Sequence, residues 1–103
     1  MPDMMSVSFT VLDNDVPAID FCSEFSIPVT QKTFCKSFIN FYDNDLKFRI
    51  ASLSTNCLSF KWFDQEEHIL EVYFKKEFMG YVLVGDLYNA ITHCYQFIEE
   101  SFC

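Results

Sequence analysis

The side chains of this chain that could carry out chemistry are two histidines, five cysteines and fifteen carboxylates. Their spacing decides what that chemistry could be. His93 and Cys94 are adjacent, and they are the residue types of a base and a thiol nucleophile. Neighbours on a helix point about 100° apart, so these two cannot face one another. Cys94 falls in an apolar stripe, as a core thiol does. His68 follows Glu66 and Glu67 in "WFDQEEHILEVYF" (62–74), a run holding four aromatics, four carboxylates and a histidine in thirteen positions. A histidine held by a carboxylate is an acid/base arrangement. No nucleophile, glycine-rich loop or oxyanion-type turn accompanies it, and the same residues make a solvated hairpin tip.

Metal chemistry finds little support. A zinc site needs four ligands at recognisable spacing, and Cys22, Cys35, Cys57, Cys94 and Cys103 include no CxxC pair. "DND" occurs at 13–15 and 43–45, but neither copy has the glycine that a calcium loop requires at its sixth position. Both copies read as turns. The chain is therefore read as a non-enzyme, with no catalytic residue, no metal and no cofactor.

The elements around these residues follow from periodicity. "SVSFTVL" (6–12) alternates, with Val7, Phe9 and Val11 on one face, and is a half-buried strand. "DNDVP" (13–17) is turn chemistry. Residues 18–27 fit either a strand or a helix opened by Pro17; the pair Asp20 and Glu24 would repel on a helix, which tips the reading to strand. Thr30 is placed to cap a helix over 31–42 whose apolar face is Phe34, Cys35, Phe38, Ile39, Phe41 and Tyr42. "LKFRIAS" (46–52) and "CLSFKWF" (57–63) alternate and should pair as a hairpin. In the second of these, Leu58, Phe60 and Trp62 face inward. "DQEE" (64–67) is then a hairpin tip, and "HILEVYFK" (68–75) is the returning strand, with Leu70, Val72 and Phe74 inward.

"KKEFMG" should turn the chain into "YVLVG" (81–85), a short apolar strand suited to a central position. Asp86 caps a last helix, 87–100, with Leu87, Ala90, Ile91, Cys94, Phe97 and Ile98 inward and Asn89, Thr92, His93, Gln96 and Glu99 in water. The sum is a single α+β domain, residues 1–103, with a mostly antiparallel sheet of about five or six strands and two helices. The sheet's second face carries Lys47, Arg49, Ser59, Lys61, Phe63, Ile69, Glu71 and Tyr73. It is amphipathic, and two helices are too few to cover all of it.

Composition bounds the function. The formal charge is −8, with 15 acids against 7 bases. Residues 1–31 and 77–103 hold acids and no lysine or arginine, while 32–76 is close to neutral. Such a field repels nucleic acid and anionic lipid, so neither is an expected partner. Scattered cysteines in apolar settings suit free thiols in a reducing compartment. The start "MPDMMSVSF" has acid where a signal peptide needs base, and no apolar run approaches a membrane span. A cytoplasmic location is expected. Nineteen aromatics in 103 residues exceed what so small a core holds. Some should reach the surface, and exposed aromatics rimmed by acids are the make-up of a protein–protein hot spot.

In its acid–aromatic clusters "DNDVPAIDF", "NFYDND" and "WFDQEEHILEVYF", the chain resembles the immunity proteins of bacterial toxin systems, including those of contact-dependent inhibition. The resemblance is one of overall character and carries no diagnostic motif. It implies a small acidic inhibitor that occludes the active site of a cognate toxin, expected to be a basic nuclease domain. The partner-binding residues expected from the chain itself are Asp64, Glu66, Glu67 and Glu71 for charge, with Trp62 and Tyr73 for packing. Two alternatives stay open. One is a homodimeric or scaffold interaction module, and the other is an acidic nucleic-acid mimic of phage origin.

Overall fold

The computed structural model describes residues 3–22, 24–44 and 57–101. The chain runs β1 (Val7–Leu12), β2 (Val16–Phe21), β3 (Phe25–Pro28), α1 (Lys32–Asp43), β4 (Leu58–Asp64), β5 (Ile69–Phe74), β6 (Glu77–Leu83) and α2 (Val84–Ser101). The expected strand over 46–52, with its Lys47 and Arg49, lies outside the described residues.

The α+β class is as expected, but the strands form two sheets where one was expected. β1-β2-β3 and β4-β5-β6 are separate three-stranded antiparallel sheets in sequence order. They meet at a parallel bridge between Met4 and Tyr81, where the Met5 amide donates to the Tyr81 carbonyl at 2.8 Å. The stretch 18–27 is strand, broken by a turn at Cys22 into parts of β2 and β3.

Both sheets and both helices share one core. Ile19, Phe21 and Ile27 from the first sheet join Leu58, Phe60, Leu70, Val72 and Val82 from the second. α1 and α2 pack against each other, and α2 also lies along β1 and β2. Aromatic rings bridge α1 to β4: Phe38 meets Phe60 edge to face at 5.8 Å, and Phe41 meets Trp62 at 6.1 Å. Burying one such phenylalanine is worth roughly 2–3 kcal/mol. A Lys32–Glu99 ion pair at 3.0 Å joins the helices at the surface. Hydrogen bonding to Glu99 keeps the Tyr95 hydroxyl protonated above its ordinary pKa.

Several local expectations are corrected. Thr30 does not cap α1; the helix begins at Lys32 behind Gln31, which makes no side-chain cap bond. Asp86 is not a cap either, because α2 starts at Val84 and Asp86 sits in its first turn. "YVLVG" is not a central strand: β5 holds the centre of its sheet and Leu83 is exposed. The turn in "KKEFMG" is only Lys75 and Lys76, both at positive φ, and Glu77 already belongs to β6. Phe74 pairs with Glu77 across this two-residue loop, the geometry of a hairpin turn of primed type. Val11 is exposed despite its alternation with Val7 and Phe9. Thr92 is half-buried, and its Oγ1 is buried with no hydrogen-bond partner. Cys35 and Cys94 are buried free thiols as expected, but Cys22 is exposed at its turn.

Candidate interaction surface on the second sheet

β5 runs between β4 and β6, and its residues alternate between two faces. Leu70 and Val72 turn to the helices and are fully buried. Glu71 and Tyr73 turn the other way. Residues paired across strands share a face, so the registers define what surrounds them. Glu71 pairs with Lys61 and with Tyr81, and Tyr73 pairs with Ser59 and with Phe78. This is the second face anticipated from the alternation, and helices do not cover it.

Two bulges enrich that face. One falls between Trp62 and Asp64, where Trp62 pairs with Leu70 and Asp64 with Ile69. Phe63 is the extra residue. Its ring lies on Tyr81 at 4.6 Å and 60°, and 45% of it is exposed. Because Asp64 takes Ile69 as partner, it lies on the open side as well. The second bulge leaves Met79 unpaired between Gly80, opposite Val72, and Phe78, opposite Tyr73. Strict alternation from Tyr81 would send Phe78 to the core. The bulge instead sets it beside Tyr73 at 5.6 Å and Tyr81 at 5.2 Å, both edge to face, and 47% exposed.

Five large hydrophobic residues are exposed among those described, and Phe63, Phe78 and Leu83 of this face are three of them. Exposed hydrophobics scattered singly are ordinary, but a contiguous patch marks an interaction site. Ile69 is the exception on this face, since it is buried.

The charge on the face is graded along the strands. At one end is the hairpin tip, 65–68, with Glu66 and Glu67 exposed. Asp64 closes the tip by accepting the Glu67 amide at 3.1 Å. His68 adopts a left-handed φ of 58°, and its carbonyl accepts the Val84 amide at 2.9 Å, which ties the tip to the start of α2. At the other end of the strands stand Lys75, Lys76 and Glu77. In the middle, the Tyr73 hydroxyl donates to Glu71 Oε1 at 2.5 Å, and this bond raises the Tyr73 pKa. The Lys61 ammonium sits over the Tyr73 ring, 5.1 Å from its centroid.

The expected site residues therefore divide. Asp64, Glu66, Glu67, Glu71 and Tyr73 share the tip and the open face. Trp62 does not join them: it is half-buried on the helix side against Phe41. Phe63, Phe78, Tyr81 and Leu83 complete the patch and were absent from the expected partner-binding set, although Phe63 was expected on this face. The run 81–85 is apolar throughout and reads as a central strand, so it shows no alternation that assigns Tyr81 and Leu83 to a face. Nothing in the sequence announces the bulge that turns Phe78 outward.

The remaining candidates for chemistry stay apart. Cys94 is buried and its thiol points to the Ala18 carbonyl at 3.7 Å. His93 is exposed, stacked on Phe9 at 5.8 Å, with Nδ1 against the Asn89 carbonyl at 2.8 Å. A carbonyl only accepts, so Nδ1 carries the proton. Among the described residues, no group of three histidine, cysteine or acidic side chains could hold a metal ion, and no helix is long and apolar enough to cross a membrane. No protein-family model, curated protein or solved structure matches this chain.

Proposed function

We propose that this domain is an immunity-type inhibitor that binds one basic partner domain through the open face of β4, β5 and β6 and the acidic tip beside it. The observation that carries this reading is the contiguity of Phe63, Tyr73, Phe78, Tyr81 and Leu83 with Glu71, bordered by Asp64, Glu66 and Glu67. Carboxylates on a tip tied down by backbone hydrogen bonds can occupy a site built to hold phosphates, and a nuclease active site is such a place. Their field steers encounter towards about 10⁸ M⁻¹s⁻¹ at low salt. The aromatic patch then slows dissociation, because its burial excludes water around the anchors. The chain's charge of −8 is in keeping with a basic target.

The test is affinity co-purification of the tagged protein from its native cell, or with the product of the adjacent reading frame, recording mass and salt dependence. A single basic partner in 1:1 ratio, loosened by salt, is expected. Absence of a partner together with a stable homo-oligomer would overturn the reading. That outcome would favour a homodimeric module, which the presence of both Lys61 and Glu71 on one face also suits, since two copies could pair them crosswise.

A further inference from the structure

Glu71 stands at the middle of the open face, with Lys61 and Tyr81 as its register partners and Tyr73 two residues along its own strand. Oε1 accepts the Tyr73 hydroxyl. The nearest candidate to neutralise this carboxylate is Lys61, directly across the ladder, yet its ammonium lies over the Tyr73 ring. Among the described residues Glu71 has no ion pair. It is a half-buried carboxylate framed by rings: Phe63 on Tyr81, Tyr81 on Phe78 and Phe78 on Tyr73, each pair edge to face.

We infer that Glu71 and this frame take an arginine side chain of the partner protein as the central anchor of the interface; the inference rests on the docking reading above and names its chemistry. Charge complementarity selects a cation. The surroundings select arginine over lysine. A guanidinium is flat, weakly hydrated, stacks on ring faces and donates two parallel hydrogen bonds to a carboxylate. An ammonium is a compact, strongly hydrated point charge, and a half-buried site walled by rings strips more of its water. The rings already hold a cation in the free protein, since Lys61 rests on Tyr73 as a cation over a π face does. Edge-to-face packing orders the frame before binding, which lowers the entropic cost of closing on a guest. The acidic tip then contributes to encounter rate and orientation, and Glu71 to residence time.

The test is a nuclear magnetic resonance titration of the ¹⁵N-labelled full chain with acetyl-Gly-Arg-Gly-amide, against the same peptide with citrulline, which keeps the shape and removes the charge. Saturable shifts centred on Lys61, Phe63, Glu71, Phe78 and Tyr81 are expected with arginine, with none from citrulline. They should be lost in Glu71→Gln. Phe78→Ala, which alters the frame and leaves the carboxylate, should weaken them as well and covers the case in which Glu71→Gln folds poorly. Equal shifts with citrulline, shifts centred on Glu66 and Glu67, or no shifts would overturn the inference. Against a captured partner, Glu71→Gln should weaken binding about tenfold or more, through faster dissociation. A captured partner indifferent to Glu71→Gln would overturn the arginine anchor and leave the docking function standing. If no partner is found and the chain is instead a stable homo-oligomer, that function falls and the partner's arginine with it, while the peptide titration still decides whether Glu71 and its frame take a guanidinium.

Discussion

Met5 lies so close against Gly80 that a Cβ at position 80 would stand 2.8 Å from the Met5 sulfur. Gly80 also has a φ of 150°, which L side chains rarely adopt. The contact falls where the two sheets meet, one residue from the Met4–Tyr81 bridge. Gly80→Ala should destabilise the fold by about 1–3 kcal/mol, read from the midpoint of urea unfolding. Met5→Ala in the same chain should relieve the clash but not the backbone strain. Full rescue by that second change would show that crowding alone makes the glycine necessary.

Phe38 and Phe78 are chemically identical and should behave as opposites. Phe38 is fully buried among Phe34, Phe41 and Phe60. Phe38→Ala should cost about 3–5 kcal/mol of stability. Phe78 is 47% exposed on the open face, so Phe78→Ala should change stability by less than about 1 kcal/mol while reducing partner affinity. Thermal unfolding and calorimetric titration separate the two effects.

The loop of Lys75 and Lys76 puts two lysines at φ 51° and 70°. Positive φ costs an ordinary residue about 1–2 kcal/mol, and asparagine and glycine much less. The double substitution Lys75→Asn with Lys76→Gly should therefore raise stability by about 1–2 kcal/mol, measured by chemical denaturation. It also removes the two cations at the far end of the strands. If the graded charge orients the partner, the on-rate should change while the patch contacts persist.

Burial pushes the Cys35 thiol up to about 11. Burial, and then the neighbouring Cys35, pushes Cys94 up to about 12. An unfolded thiol ionises near about 8.5. The folded state holds these protons more tightly, so their contribution to stability is complete below about pH 8.5 and is lost as pH rises through the folded values. The urea midpoint should fall between pH 8 and pH 10. At pH 8 a thiol-reactive disulfide reagent should modify exposed Cys22 at once and reach Cys35 and Cys94 only on unfolding.

Glu66→Lys with Glu67→Lys should leave the circular dichroism spectrum unchanged, because both side chains stand in water. Partner association should slow and its salt dependence should flatten. Unchanged kinetics would remove the tip from the interface, while the aromatic patch would remain to be tested through Phe78.

Local pattern determined much of this protein. Alternation in 57–63 and 68–75 is set by the two-residue period of a strand, and it placed Leu58, Phe60, Leu70 and Val72 in the core and Lys61, Glu71 and Tyr73 on the opposite face. Helical spacing placed Phe34, Phe38, Leu87, Ile91 and Cys94 inward for the same geometric reason. A hairpin tip near 64–67 was readable because four polar residues interrupt two apolar runs. The turn falls one residue later, at 65–68, with Asp64 still in β4 and His68 in the turn rather than in the returning strand. Three things were decided by tertiary structure. The division into two sheets rests on where pairing stops: each strand pairs with its neighbours in sequence within β1–β3 or within β4–β6, and the period along one strand does not record which strands share a sheet. The place of Trp62 was ambiguous as an anchor until Phe41 of α1 closed on it. The outward turn of Phe78 depends on a bulge, and one unpaired residue reverses the face of everything beyond it. A period read along the chain assumes an unbroken ladder; where β6 breaks its ladder at Met79, only pairing with β5 shows which side of the sheet the aromatic ring takes.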